Sequence, residues 1–226
     1  MNKLLLSTLK TFFLGAIVLG ILLFLPAWTL NYWQAWVFIV DFMTSVNIIG
    51  VYLSLKDPKL LERRKNVGPK AEKKMSEKII MSFAVIVNIV LLIFCAFDHR
   101  FGWSPVSPYI SIAGDTLVAF GLLIDLFVFK ENSYGASNIQ TFEGQKVIST
   151  GLYAIVRNPM YMGVLVMLIG IPLALGSWWG IAFIVFAVIP GLILRIFDEE
   201  KTLKEELPGY KEYMQKVRYR LVPYIW

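Results

Sequence analysis

Six apolar stretches, each about as long as a bilayer is thick, constrain this chain more than any other feature. They fall near residues 8–30, 34–55, 79–97, 108–129, 160–176 and 178–196. A span needs about 20 apolar residues in helical form, and lipid offers no partner to an open backbone N–H or C=O. The expected fold is therefore all-α, a polytopic integral membrane protein with about six transmembrane helices. Composition agrees, since 57% of the 226 residues are hydrophobic and only 17% charged. A soluble domain is nearer one half apolar and one quarter charged. The last two stretches meet at Gly176-Ser177-Trp178-Trp179-Gly180, a turn with two interfacial tryptophans, which predicts a C-terminal helical hairpin. The first stretch follows Lys3 and Lys10 but is longer than a signal-peptide core and has no small-x-small site after it, so it is read as retained.

Charge sets the expected orientation. With the N-terminus inside, every Lys and Arg but Arg100 falls on the inner side. Nine of the 22 lie between Lys56 and Lys78, and seven more follow from Arg195 onward. By the positive-inside rule, both termini face the cytosol. One domain is expected: residues 1–107 supply three spans and a basic loop, and residues 108–226 supply the fourth span, the hairpin and a cytosolic tail. The net charge of +6 then records topology and attraction to anionic headgroups, and no basic groove with stacking aromatics points to nucleic acid. Cys95 is the single cysteine and His99 the single histidine, which leaves no disulfide and no histidine metal centre. The loop over 56–78 reads as solvated and partly helical.

Three polar clusters are brought to one depth by this topology. One is Lys130–Asn138 after the fourth span, including Ala136; the second is Arg157-Asn158-Pro159-Met160-Tyr161; the third is Arg195–Glu200. Ionisable groups at a membrane boundary mark function, and a shared depth suits a water-soluble cosubstrate meeting a membrane-borne one. Pro159 fits the first turn of a helix, which puts Asn158 at its N-cap with free helix N–H groups behind it. Arg195 and Glu199 stand four apart on one face, where a plain ion pair is the alternative to a site. Pro190-Gly191 is expected to bend the last span. Asp125, near the inner end of the fourth span, either lines the site or pairs with a neighbouring helix, and Asp41 reads as structural. Gly163 and Gly170 are expected to allow close helix packing.

These residues carry a resemblance. Gly151, Tyr153, Arg157, Asn158, Pro159, Tyr161 and Gly163, then Arg195, Glu199, Glu200 and Leu203, then the tail Leu207–Tyr213 and Val217–Pro223, resemble the isoprenylcysteine carboxyl methyltransferase family in its broad bacterial branch. Phospholipid N-methyltransferases are its more distant relatives. The resemblance covers residues 125–226; the first hundred residues match only as generic spans. It implies a bacterial or archaeal cell membrane and methyl transfer from S-adenosyl-L-methionine, with S-adenosyl-L-homocysteine as product. Carried over by position, the cofactor set is Asn138, Gln145, Lys146, Val147, Ile148, Tyr153, Asn158, Pro159, Met160, Tyr161 and Glu199. The same carry-over makes Arg195 the substrate-side residue, Arg195 and Glu199 the candidate catalytic pair, and a membrane lipid or lipid-modified molecule the substrate. The family's usual His is Asn158 here, which hydrogen-bonds but cannot act as an imidazole base. Two other classes stay open on the residues alone: an NADPH-dependent membrane reductase of a lipid enone, and a non-catalytic relative that keeps the fold.

Overall fold

The computed structural model describes residues 3–65, 68–72, 74–135, 137–139 and 141–226, and of residues 3–9 and Thr11 the backbone only. Asn66, Val67 and Lys73 of the basic loop, and Ala136 of the first polar cluster, lie outside the described residues.

The helices run in the order α1 (Lys3–Ala27), α2 (Trp33–Lys56), α3 (Pro58–Lys65), α4 (Met75–Phe101), α5 (Pro108–Glu131), α6 (Pro159–Ala174), α7 (Trp178–Phe183), α8 (Ile189–Glu206) and α9 (Tyr210–Lys216). Among the described residues there is no strand, only an isolated bridge between Val156 and Tyr219. Four helices are long and apolar enough to cross a membrane: α2, α4, α5 and the run Trp178–Glu206. The first and fifth expected spans are shorter apolar helices over Phe12–Ala27 and Pro159–Ala174. At 1.5 Å per residue the fifth rises about 24 Å, short of a hydrocarbon core about 30 Å thick. Large apolar side chains such as Ile86, Phe120 and Phe186 face outward, the last 82% exposed, as expected where the solvent is lipid.

Helix α6 lies along α5 with the backbones in contact. A Cβ on Gly163 would sit 2.5 Å from Asp125 Oδ1 and 2.8 Å from the Gly121 carbonyl, and one on Gly170 would sit 2.7 Å from the Gly114 carbonyl. Small residues at this seven-residue spacing allow the approach. The expected hairpin, by contrast, is splayed. It turns at Leu175–Ser177, but α6 follows α5 while α8 packs against α4. The bend predicted at Pro190-Gly191 appears one turn earlier as a π-helical segment, Ile184–Val188. Pro190 supplies no N–H to the ladder, and a widened turn upstream absorbs the loss.

At the tryptophan end a polar lock fixes the turn. Asp98, 1% exposed, accepts from the Ser104 amide at 2.9 Å, from the Ser104 hydroxyl, and from the Ser177 hydroxyl at 2.5 Å. Ser177 Oγ accepts from the Gly180 amide at 3.0 Å as the α7 cap. The Tyr32 hydroxyl donates to the Leu175 carbonyl at 2.7 Å, while its ring stacks on His99 at 3.8 Å.

Candidate active site

At the opposite end the three polar clusters converge. The irregular strap over 132–150 leaves α5, and a 3-10 turn, Gly151–Ala154, returns the chain to α6. Gly151 takes φ +53°, a backbone conformation that calls for glycine. The turn places Tyr153, whose hydroxyl accepts from Asn132 Nδ2 at 2.8 Å and whose carbonyl accepts from the Tyr213 hydroxyl at 2.7 Å. Burial pushes the Tyr153 phenol up to about 12, so it keeps a proton to donate at neutral pH.

Helix α6 begins at Pro159 with Asn158 as N-cap residue, but the Asn158 side chain does not cap it. Instead Nδ2 donates to Glu200 Oε1 and to the Arg220 carbonyl, both at 3.1 Å. Glu200 gathers the neighbouring charges. Arg157 reaches it through Nε at 2.7 Å and Nη2 at 3.3 Å, and Arg220 through Nε at 3.1 Å. Arg157 Nη1 also donates to the Val217 and Arg218 carbonyls, and the amides of Arg157 and Asn158 donate to the carbonyls of Tyr219 and Arg220. The tail is thus sewn to the α6 entrance by backbone pairing around one paired carboxylate. Buried charges are held in this way, by partners and forked donors.

Two cavities open from this framework. The first, a polar cleft, is lined by Asn138, Gln145, Lys146, Val147 and Ile148 of the strap, Tyr153, Asn158, Pro159, Met160 and Tyr161, and Glu199 of α8. Leu203, Leu207, Tyr210 and Tyr213 close its other side. The Tyr210 hydroxyl is buried there without a partner, and burial pushes its phenol up from the ordinary value. The second cavity, about 250 Å³, lies in the gap between α6 and α8 where the hairpin splays. Ile80, Phe83 and Val87 of α4, Val164 and Leu168 of α6, and Val188 and Leu192 line it, with Arg195 and Arg64 at its polar end. Met160 and Tyr161 line both cavities and form their common wall.

Arg195 and Glu199 stand on either side of that wall. The Tyr161 hydroxyl donates to Glu199 Oε2 at 2.5 Å and accepts from Arg195 Nε at 3.3 Å. Among the described residues the ion partner of Arg195 is not Glu199 but Glu72, at 2.7 Å from Nη2. Arg195 Nη1 is buried without a partner. Glu72 also accepts from the Ile139 amide at 3.2 Å, so one carboxylate of the basic loop holds both the strap and the arginine. That loop is more than solvated sequence. Glu72 is one of four acids among the nine bases of this loop, and nothing in the sequence singles it out for a site. Arg64 was missed for the same reason, being one cation among many. Asp125 lines neither cavity and sits against Gly163.

Fold and site together define a polytopic helical membrane protein in which a polar cleft and an apolar cavity share a wall. Residues 109–208 match the family model described as phospholipid methyltransferase. The match includes the strap, the common wall, Arg195 and Glu199, and excludes Arg64, Glu72 and the end of the tail. A delta(14)-sterol reductase of Mus musculus is 27% identical over 94 residues, 41% of this chain. The matched stretch spans 22% of the reductase's length.

Proposed function

We propose that this protein is an integral-membrane methyltransferase that uses S-adenosylmethionine and methylates a lipid-like or prenylated acceptor. O-methylation of a carboxylate is favoured over N-methylation, because the unpartnered Nη1 of Arg195 beside the wall offers a donor to a carboxylate. The observation that carries the reading is the common wall at Met160 and Tyr161 between a polar cleft and an apolar cavity. A water-soluble donor and a membrane-borne acceptor need this juxtaposition.

The residues of the cleft suit the cofactor. The orphaned Tyr210 hydroxyl offers a hydrogen bond to an incoming polar group. Glu199 is the carboxylate for an ammonium or a ribose diol, and Asn138, Gln145 and Lys146 are the polar side chains of the facing strap. When bound, the cofactor supplies a methyl group on a sulfonium, which leaves readily without acid assistance. What remains for the protein is alignment within about 3–3.5 Å and exclusion of water. Arg195 orients the acceptor carboxylate with the fork that Glu72 holds in place, Tyr161 bridges the two sides, and the Leu207–Tyr210–Tyr213–Val217 cluster keeps water from the cleft. Asn158 fits this scheme as the residue that docks the tail, with no proton transfer asked of it.

Calorimetry with S-adenosylhomocysteine on the purified protein tests the cofactor, and binding in the micromolar range is expected. Lipid extracts incubated with methyl-labelled S-adenosylmethionine test the reaction. Labelling of no lipid, or retention of NADPH in place of the methyl donor, overturns the reading. The similarity to the sterol reductase is what favours a reductase as the second reading. The charge asymmetry supports both termini and the 56–78 loop on the cytosolic side. Labelling from outside intact cells of a cysteine placed in that loop, after Cys95 is replaced, would refute it.

A further inference from the structure

Where the tail leaves α9, a groove of about 310 Å³ opens beside the 3-10 turn, apart from both the cleft and the apolar cavity. Ile155 lines it from the turn, and Lys216, Arg218, Tyr219 and Tyr224 line it from the tail. Lys216 and all that follows fall outside the stretch matched by the family model. Lys216 and Arg218 are both exposed, and among the described residues neither has an ion partner within 4.0 Å. No acid among the described residues lines the groove. Glu212, one turn before Lys216 on α9, is exposed and takes no part in its lining. Arg157, which donates to the Arg218 carbonyl at 2.8 Å, is met by Glu200, and Glu200 is shared with Arg220. Those three groups leave no negative charge over, so the two cations of the groove stay unanswered.

Beside these cations the tail is apolar. Tyr224 is 88% exposed and Ile225 81% exposed. Tyr224 takes φ +65°, a conformation that a bulky residue keeps only where its surroundings fix it. Here the Trp226 carbonyl accepts from the amides of Arg220 and Leu221, both at 2.9 Å. These bonds close residues 220–226 into a hook with the Tyr224 ring on its outside. The hook rests on the last span. The Trp226 ring meets Phe197 edge-on at 5.8 Å, and the Arg220 guanidinium lies 5.1 Å from the centre of the Phe197 ring. Phe197 and Leu194 are exposed apolar side chains of α8, so the hook sits where α8 leaves the lipid. Aromatic rings and cations together suit that boundary. A free phosphate would answer the cations and leave Tyr224 and Ile225 in water, whereas a phospholipid answers both. A zwitterionic headgroup brings its own ammonium to the cations, and an anionic one does not. We propose that the groove holds the phosphodiester of an anionic phospholipid of the surrounding bilayer, with the lipid chains against Tyr224 and Ile225. The lipid is held and not consumed, and its binding does not rest on the methyltransferase reading.

The test is native mass spectrometry of the full chain in detergent, titrated with dioleoylphosphatidylglycerol and dioleoylphosphatidylcholine, which share chains and differ in net charge. The parent should hold its first phosphatidylglycerol about tenfold more tightly than its first phosphatidylcholine, as two cations near a headgroup imply. Lys216→Gln with Arg218→Gln should cut that preference about fivefold and leave phosphatidylcholine affinity unchanged. Lys59 and Lys70 of the basic loop are exposed as well, so Lys59→Gln with Lys70→Gln removes the same charge elsewhere and should keep the parent's preference. Equal losses in the two double variants overturn the proposal, because they reveal only the field of the net charge. A parent that does not discriminate, or a Lys216→Gln, Arg218→Gln protein with the parent's preference, overturns it too. Glycerol 1-phosphate should fail to displace the bound phosphatidylglycerol; displacement at equal concentration would make the groove a free-phosphate site and defeat the lipid assignment. Tyr224→Ala should weaken both lipids about threefold with the preference kept, as loss of apolar contact alone requires. Unchanged affinity for both lipids refutes the apolar half of the site. Should the Lys216, Arg218 variant fail to fold, Lys216→Gln alone decides, with a roughly twofold fall in preference expected and no fall refuting the site.

Discussion

The Asp98 cluster at the tryptophan end and the groups lining the cavities at the Tyr161 end differ in how their polar atoms are met. At the tryptophan end, both oxygens of Asp98 are occupied by Ser104 and Ser177, and the Ser177 hydroxyl also satisfies the Gly180 amide. At the Tyr161 end, Arg195 Nη1 and the Tyr210 hydroxyl are buried without partners beside two cavities. Satisfied polar groups in a low-dielectric setting lock a structure, whereas unsatisfied ones are costly and await a ligand. The Asp98 cluster is thus a fastening and the Tyr161 end the candidate site. Within the Tyr161 end the same contrast recurs between adjacent acids. Glu200 is enclosed by Arg157, Arg220 and Asn158, while Glu199 turns to the cleft with Tyr161 as its hydrogen-bond donor.

The largest effect that would break this contrast comes from Asp98→Ala. Loss of an acceptor for three donors should lower stability by roughly 3 kcal/mol, read as a fall in thermal midpoint in detergent, with S-adenosylhomocysteine affinity unchanged in the folded fraction. Loss of cofactor affinity at that distance would mean the ends are coupled. Arg195→Ala comes next. It should cut methyl transfer about a hundredfold, on the order of 2.7 kcal/mol of transition-state orientation, and hold S-adenosylhomocysteine binding within about threefold. A weakened cofactor with transfer in proportion would move Arg195 to the cleft side. Glu199→Ala should weaken S-adenosylhomocysteine binding at least tenfold, about 1.4 kcal/mol. Unchanged calorimetric affinity would remove Glu199 from the cleft. The smallest change is expected from Asn158→Ala, which removes two hydrogen bonds that dock the tail and should cost about 1 kcal/mol of stability. Proteolysis of the tail after Arg218 would report it, and a tail no more susceptible than the parent's would deny Asn158 that role.

Much of this was legible before any coordinates. Bilayer-length apolar runs forced helices, and Pro159 marked the start of α6. The seven-residue spacing of Gly163 and Gly170 gave a close helix pair, completed by Gly114 and Gly121 on α5. The motif residues from Asn138 to Glu199 gather around one cleft. Less legible were side-chain directions. Asn158 occupies the N-cap position, yet its Nδ2 donates to Glu200 and to the Arg220 carbonyl, and its side chain makes no cap bond to the helix amides. Arg195 pairs with Glu72 rather than with Glu199 one turn away, since helix spacing gives only proximity and says nothing of a third chain segment. The hairpin itself is legible at Gly176–Gly180, but its splay, which makes the apolar cavity, comes from α5 and α4 each claiming one arm.

What the sequence by itself determined is the part governed by local rules and by the solvent. In lipid each span must satisfy its own backbone, so length and hydropathy are enough to place helices, and glycine and proline are enough to start or approach them. What only the tertiary structure decided is which polar groups meet. Arg64, Glu72 and the tail carbonyls of Val217–Arg220 reach the site across long stretches of chain, and no periodicity encodes a contact between segments that distant. Their pairing depends on geometry summed over the whole bundle, where burial makes each unmet charge matter.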